Sequence, residues 1–139
     1  MEIPWTRVGG GGSADGADAV VMASRFELAS AWRSPVFLLH SLRLWRQARR
    51  APGALGVALR AAPLSGVFWT LSAWQDRAAL ARYARTDPHG RVLAAVRPWT
   101  RSADFVYWET PIGGLPAGPG DAGALWEEGE RRVSARRGA

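Results

Sequence analysis

The two histidines of this sequence are the side chains best suited to proton transfer, because imidazole titrates near neutral pH. Imidazole is also a common ligand of haem iron. His89 follows Asp87-Pro88 in a helical segment, and we expect it to act as a base or a ligand, with a surface or capping histidine as the alternative. His40 lies in the middle of an earlier helix, on its more polar stripe with Arg43, which is typical of a partly exposed structural residue.

Eight tryptophans among 139 residues are the most unusual feature of the composition. Several fall on or beside predicted strands, where indole rings can line a flat aromatic pocket. Trp69 and Trp108 are the predicted pocket residues, because small residues such as Gly56 lie across the sheet from them. Trp74 and Trp45 are predicted to pack in the core or at an interface.

These side chains are positioned by a predicted order of elements βαββαβ. The predicted strands are residues 19–27, 55–60, 67–74 and 102–109. The predicted helices are residues 34–50, beginning at Ser34-Pro35, and residues 76–98, capped by Asp76 and bent at Asp87-Pro88. This order predicts an α+β domain of ferredoxin-like topology, with a four-stranded antiparallel sheet and two helices on one face.

The two faces of the third predicted strand both carry large side chains. Trp69 and Leu71 alternate with Phe68 and Trp74, so neither face is simply solvated. An antiparallel sheet with helices on one side normally leaves its other face polar. We therefore expect a second sheet to cover this face, which makes the protein a homodimer.

The flanks of the predicted domain differ from it in composition. Residues 1–17 contain a run of four glycines and are predicted to be a flexible leader. Residues 18–110 form the domain. Residues 111–139 are a Gly- and Pro-rich extension that could form one short charged helix from Leu125 to Arg137.

The bulk composition limits the class of protein. A chain of 139 residues that is 47% hydrophobic and 22% charged can bury one modest core and hold one site. Without cysteine it has no disulfide, no thiolate nucleophile and no Cys-ligated zinc or iron–sulfur cluster. No apolar run is long enough to span a membrane and the N-terminus lacks a signal-peptide core, so a cytoplasmic location without membrane contact is expected.

All 18 basic residues are arginine, and the net charge is +6. The arginines are spread along the chain, which does not predict a nucleic-acid groove. Residues 46–50 form a basic helix end that is explained by the helix dipole. Residues 9–12 lack the Lys-Ser/Thr of a phosphate loop, and no Gly-x-Ser-x-Gly motif is present.

One segment carries a family resemblance. The run from Phe68 to Leu80, followed by Asp87-Pro88-His89, is similar to the strand, turn and helical histidine of the antibiotic-biosynthesis monooxygenases, and more distantly to spheroidene monooxygenase-like proteins. The resemblance covers about residues 18–110. It implies two ferredoxin-like sheets packed face to face in a dimeric α+β barrel, with a small hydrophobic pocket between the sheet and the helices of each subunit.

The resemblance implies a monooxygenase-like oxidoreductase of secondary metabolism that acts on a hydrophobic aromatic or polyketide-type substrate without a cofactor. Such a substrate becomes an electron-rich carbanion, so the protein supplies only a base, an oxyanion donor and a dry pocket. The candidate catalytic residues are His89, Tyr83 and Trp69. The candidate substrate-binding residues are Trp108, Arg25, Phe68, Tyr107 and His40. Arg25 is alternatively a surface partner of Glu27 or Asp104.

Three other functions fit the same fold. The first is a haem-dependent oxidoreductase with His89 as the iron ligand. The second is an isomerase or cyclase that uses the pocket without oxygen, and the third is a non-catalytic dimer module that binds a ligand. Haem-degrading proteins that this chain resembles use an Asn, a Trp and a His together, and this chain has no Asn.

Overall fold

The computed structural model describes residues 1–8 and 17–138. Its centre is one five-stranded antiparallel sheet with the strand order β1-β3-β4-β2-β5. The strands are β1 (Glu2–Arg7), β2 (Asp18–Leu28), β3 (Ala54–Ala62), β4 (Val67–Trp74) and β5 (Thr100–Pro111). The helices are α1 (Ser34–Arg50), α2 (Arg77–Arg85), α3 (His89–Val96) and α4 (Gly123–Gly138).

The predicted α+β fold with ferredoxin-like βαββαβ topology is confirmed. The four predicted strands are β2 to β5, and they lie side by side in the order β3-β4-β2-β5, all antiparallel. The Asp87-Pro88 bend divides the second predicted helix into α2 and α3. The sheet has one strand more than the four expected.

That additional strand, β1, corrects the prediction of a flexible leader. Residues 2–7 pair with β3, and Trp5 is 1% exposed. Its ring occupies the space beside Gly56, where a Cβ atom would lie 2.0 Å from Trp5 Cζ2. The Gly-rich composition of residues 9–16 dominated the prediction, but those residues lie outside the described part of the chain. Ile3 and Trp5 supply enough apolar surface to order residues 2–7, which precede the glycine run.

Turns and caps follow the local sequence in most places. Asp76 caps α2, since its Oδ1 accepts a hydrogen bond of 2.8 Å from the Ala79 amide. Gly66 has a φ of +70° in the turn that joins β3 to β4. α1 begins at Ser34 as predicted, and the Ser34 hydroxyl donates to the Pro63 carbonyl oxygen at 2.7 Å. This bond ties the start of α1 to the hairpin.

The sheet has two covered faces. On the helix face, α1, α2 and α3 pack over one set of alternate side chains, which includes Phe68 and Trp74. On the opposite face, which we call the C-terminal face, the cover is the chain's own residues 112–133 together with Trp5. A second sheet was expected there, and the structure instead places this chain's extension on it.

The predicted C-terminal helix is confirmed as α4, and specific contacts fix it to the sheet. Gly129 lies so close to β2 that a Cβ atom would be 3.0 Å from Ala23 Cβ. At the far end, Arg137 forms an ion pair of 2.8 Å with Asp104 on β5. Leu125, Trp126 and Val133 are buried. None of the helices within residues 1–8 and 17–138 is long and apolar enough to cross a membrane.

Candidate active site

A cavity of about 80 Å³ lies on the helix face, between the sheet and the first three helices. One water molecule needs roughly 10–15 Å³ of such space, so the cavity holds several waters or a small organic group. Its walls are mainly apolar. The polar side chains that line it are Ser24, His40, Ser41, Thr70, Ser72, Tyr83 and His89. Three of the residues predicted from the sequence, His89, Tyr83 and His40, are therefore brought together.

His89 is the first residue of α3, and its orientation leaves one ring nitrogen free for chemistry. Nδ1 lies 3.1 Å from the carbonyl oxygen of Ala84, so Nδ1 carries the proton and donates it in this bond. Nε2 is then the acceptor. Burial lowers the pKa of His89 below its usual value, and the bond to Ala84 opposes that shift more weakly. His89 is therefore neutral at neutral pH and has the form of a general base.

Tyr83 supports His89 but its hydroxyl is already engaged. The phenol donates a hydrogen bond of 3.1 Å to the Leu44 carbonyl oxygen on α1. Its ring stacks on Trp74 at 4.9 Å and meets the His89 ring edge to face at 4.7 Å. Burial raises the pKa of Tyr83 well above its usual value, so it stays protonated. These contacts hold α2 against α1 and fix the plane of the imidazole.

His40 faces the cavity, which corrects its placement on the polar stripe of α1. The inward face of the helix is centred on Phe37, Ser41 and Leu44, and His40 is adjacent to all three. The prediction failed because apolar residues surround this helix: Val36 and Leu39 are both exposed, so the pattern does not single out one face.

Two buried nitrogen atoms on α1 have no hydrogen-bond partner in the described parts of the chain: His40 Nδ1 and Trp45 Nε1. Both side chains line the cavity. A buried polar group without a partner costs about 1–3 kcal/mol, so each such group calls for a water or a ligand. Trp45 was predicted to be a packing residue, and the indole nitrogen gives it a polar function that its helical spacing does not reveal.

The sheet supplies a hydroxyl-bearing floor that sequence reasoning missed. Ser24 on β2 and Thr70 on β4 are cross-strand neighbours, and their hydroxyls are hydrogen-bonded to each other. Ser72 accepts a hydrogen bond of 2.9 Å from the Trp74 indole nitrogen. The signal was the alternation of β4, in which Thr70 and Ser72 share a face with Phe68 and Trp74. Small hydroxyl residues among aromatics on one face mark where a covering helix leaves space.

Three predicted site residues lie on the other side of the sheet, so their expected place in a pocket between sheet and helices is wrong. Trp69 and Trp108 pack on the C-terminal face. Arg25 lies beside Trp69 there and forms the predicted ion pair with Glu27, at 3.1 Å. The reason is strand alternation, since Trp69 points away from the helices that its neighbours Phe68 and Thr70 contact.

The other two predicted residues lie on the helix face but do not line the cavity. Phe68 is fully buried and packs on Phe37, with 4.6 Å between ring centroids. Tyr107 pairs with Met22 across the sheet and is 45% exposed near the β5 edge. Phe68 supports the wall of the cavity, and Tyr107 is outside it.

The side chains and the volume of this cavity do not fit a metal ion or a haem group. Within the described residues no three His, Asp or Glu side chains are placed to hold a metal ion. A cavity of about 80 Å³ does not admit a porphyrin ring without rearrangement of α1 or α3. The groups present are suited to proton transfer and hydrogen bonding.

Comparison with known proteins identifies the fold but no close relative. No protein-family model and no curated protein matches the chain. A crystal structure of an antibiotic biosynthesis monooxygenase is 20% identical, with a TM-score of 0.57, and the match covers 70% of this chain and 99% of that one. A mutant of SnoaB, a cofactor-independent oxygenase from Streptomyces nogalater, is 22% identical over 72% of this chain and 99% of its own, with a TM-score of 0.58.

A putative antibiotic biosynthesis monooxygenase from Nitrosomonas europaea is 17% identical, with a TM-score of 0.60, over 76% of this chain and 99% of that chain. The matched share leaves out between about a quarter and three tenths of this chain. The chain therefore has the α+β fold of the antibiotic biosynthesis monooxygenase structures, enlarged by segments that those structures do not match.

Proposed function

We propose that this protein is a small monooxygenase-like oxidoreductase of secondary metabolism, which oxidises a hydrophobic aromatic or polyketide-type substrate without a cofactor. The observation that carries the proposal is the state of His89. Its imidazole is neutral and lies at the wall of an apolar cavity, and its Nε2 atom has no partner in the described chain. The shared fold adds support, because one protein with this fold is a cofactor-independent oxygenase.

The first step is removal of a proton from the substrate by His89 Nε2. The substrate is a phenol- or anthrone-type molecule, whose anion is delocalised over the rings and reacts directly with molecular oxygen. A single ring suits the cavity of about 80 Å³, and a three-ring anthrone enters it only when α1 or α3 moves outward. In the complete reaction a CH₂ group becomes C=O, one oxygen atom enters the product, and the other leaves as water. All four electrons needed for reduction of oxygen come from the substrate, so the protein supplies a base, donors and a dry pocket.

The negative charge that develops on the substrate oxygen needs hydrogen-bond donors. Trp45 Nε1 has no other partner in the described residues and is the first candidate. The Ser24–Thr70 pair on the floor of the cavity is the second. His40 binds a polar substrate atom through Nδ1, and Tyr83 positions His89 rather than reacting itself.

The sequence-based expectation of a cytoplasmic homodimer is retained as a prediction, with one change. Residues 112–133 cover the sheet face through which two sheets would pack to form a dimeric barrel. A dimer of that kind requires α4 to leave the sheet, and otherwise a dimer must use another surface.

An anthrone tests the function, because its CH₂ group is acidic and its oxidation to an anthraquinone is visible by absorbance and oxygen uptake. Replacement His89→Gln removes the base and is expected to lower kcat by about 10²–10⁴. Trp69→Phe, on the opposite face, is the matched control and is expected to leave the rate unchanged. Equal rates for wild type and His89→Gln would reject His89 as the base.

The same experiment without oxygen separates oxygenation from isomerisation. Substrate loss that continues under nitrogen would favour an isomerase or cyclase that uses the same base. A new absorbance band on addition of haemin, lost in His89→Gln, would favour the haem-dependent alternative.

A further inference from the structure

Four arginines line a groove on the outer side of α1, between the C-terminal half of that helix and α2. Arg43, Arg46 and Arg50 follow one another at intervals of three and four residues and so share one face of α1, and Arg82 faces them from α2. The groove has a volume of about 490 Å³. Within residues 1–8 and 17–138, no ion pair joins any of the four to a carboxylate.

The helix dipole does not account for the whole cluster, which corrects the expectation that the dipole explains all of residues 46–50. Its effect is confined to the last turn of a helix, which in α1 already contains Arg49 and Arg50. Arg43 and Arg46 precede that turn. Arginines three or four residues apart on a helix repel each other, so the stripe destabilises α1 unless an anion binds to it.

A glutamine that lines the groove has an unsatisfied hydrogen-bond acceptor, whereas the arginines are donors. Gln47 Nε2 donates hydrogen bonds to the carbonyl oxygens of Tyr83 at 3.3 Å and Thr86 at 2.9 Å, which fixes the orientation of the amide. Its Oε1 atom is buried and accepts no hydrogen bond from the described residues. Gln47 therefore lines the groove with the four arginines and has one acceptor that the described residues leave unsatisfied.

We propose that this groove binds a small molecule through a group with at least two negative charges on oxygen, such as a diphosphate or a polycarboxylate. Guanidinium groups bind such oxygens in pairs, and two or more of the four arginines can reach one multiply charged group.

The groove adjoins the cavity on the helix face, since Tyr83 lines both. The two spaces are separated by Tyr83 and by α1. The inference goes beyond the proposed function and does not depend on it, because the binding of an anion is measured without any organic substrate. Rejection of the anion site by experiment would leave the proposed function unaffected, and the reverse also holds.

Titration calorimetry with inorganic pyrophosphate, at an ionic strength held constant with sodium chloride, tests the site. Wild type is expected to show one saturable site. The variant Arg46→Gln/Arg82→Gln is expected to bind at least tenfold more weakly. The matched control is Arg77→Gln/Arg97→Gln, which removes the same formal charge from exposed positions outside the groove and is expected to bind as wild type.

Citrate in place of pyrophosphate distinguishes the two sources of charge: binding of pyrophosphate alone assigns a phosphate ligand, and binding of citrate alone assigns a carboxylate ligand. Equal weakening in both double variants would overturn the proposal, because net charge and not the groove would then explain binding. Absence of saturable binding by either anion would overturn it as well. Tighter binding of single-stranded DNA in proportion to its length would replace it with a nucleic-acid surface.

Discussion

The two faces of this sheet differ in what they leave open. The helix face has a cavity of about 80 Å³, and two buried nitrogen atoms around it, His40 Nδ1 and Trp45 Nε1, have no partner in the described chain. On the C-terminal face, Trp5 and Trp126 fill the space over small residues, and the Trp5 indole nitrogen donates to the Pro116 carbonyl oxygen at 3.2 Å. The first face is suited to binding, and the second to stability.

The same two strands produce this difference by alternation. Ser24, Thr70 and Ser72 point to the helix face, whereas their neighbours Ala23 and Leu71 point to the C-terminal face. The covering helices do not fill the space above these small hydroxyl side chains, which leaves a cavity with mainly apolar walls and a hydroxyl-bearing floor. Small apolar side chains instead let a helix approach closely, as Gly129 does at Ala23.

The largest effect is expected from Trp126→Ala on the C-terminal face. Trp126 is 3% exposed, and its truncation leaves a cavity that the sheet cannot close. We expect a loss of about 3–5 kcal/mol in the free energy of unfolding, measured by urea denaturation. Trp32→Ala is the control, because Trp32 is 72% exposed and its removal should change stability by less than about 0.5 kcal/mol. A loss equal to that of Trp32→Ala would mean that α4 does not pack as described.

The same kind of substitution should have different effects on the two faces. Gly129→Leu forces a side chain into contact with Ala23 and should destabilise the fold by about 1–3 kcal/mol. Ser41→Leu extends into the cavity, so stability should change by no more than about 1 kcal/mol. Binding of an anthraquinone, followed by tryptophan fluorescence, should be abolished in Ser41→Leu and retained in Gly129→Leu. Abolition in both variants would contradict the separation of the faces.

Gly123→Leu is the control for Gly129→Leu, since among the described residues no atom outside its own helix backbone and chain neighbours lies within 4 Å of a Cβ atom at Gly123. The mass of Gly129→Leu in solution also tests the dimer. A larger mass than wild type would show that the C-terminal face accepts a second copy once α4 is displaced. An unchanged mass would mean that any dimer uses another surface.

The smallest expected effect is the contribution of His89 to the pH dependence of stability. Its pKa is lower in the folded state, so the unfolded chain binds more protons between the two values. The contribution is therefore present above the ordinary histidine pKa of about 6.5 and is lost as the pH falls through and below it. Urea midpoints between pH 5 and 7.5 should show a shallower slope in His89→Gln. The control is Trp69→Phe, which keeps His89 and should keep the slope of wild type.

The sequence by itself determined the order of elements and the side chains capable of proton transfer. The β-prone runs, the Asp76 cap and the Pro88 bend are local signals that act within a few residues, so they survive in any tertiary context. The alternation of β4 also predicted that neither face is solvated. The helix α4 could also be predicted from residues 125–137, because helix propensity is a local signal.

The tertiary structure decided which side of the sheet each residue serves. The assignment of Trp69 and Trp108 to the C-terminal face depends on which face α1 covers, and the crossover connection sets that. His40 faces the cavity because of the rotation of a helix that is apolar on several sides. The cover supplied by Trp5 and α4 joins the two ends of the chain to its centre. Contacts between residues so far apart in the sequence depend on packing between distant segments, which local propensity does not encode.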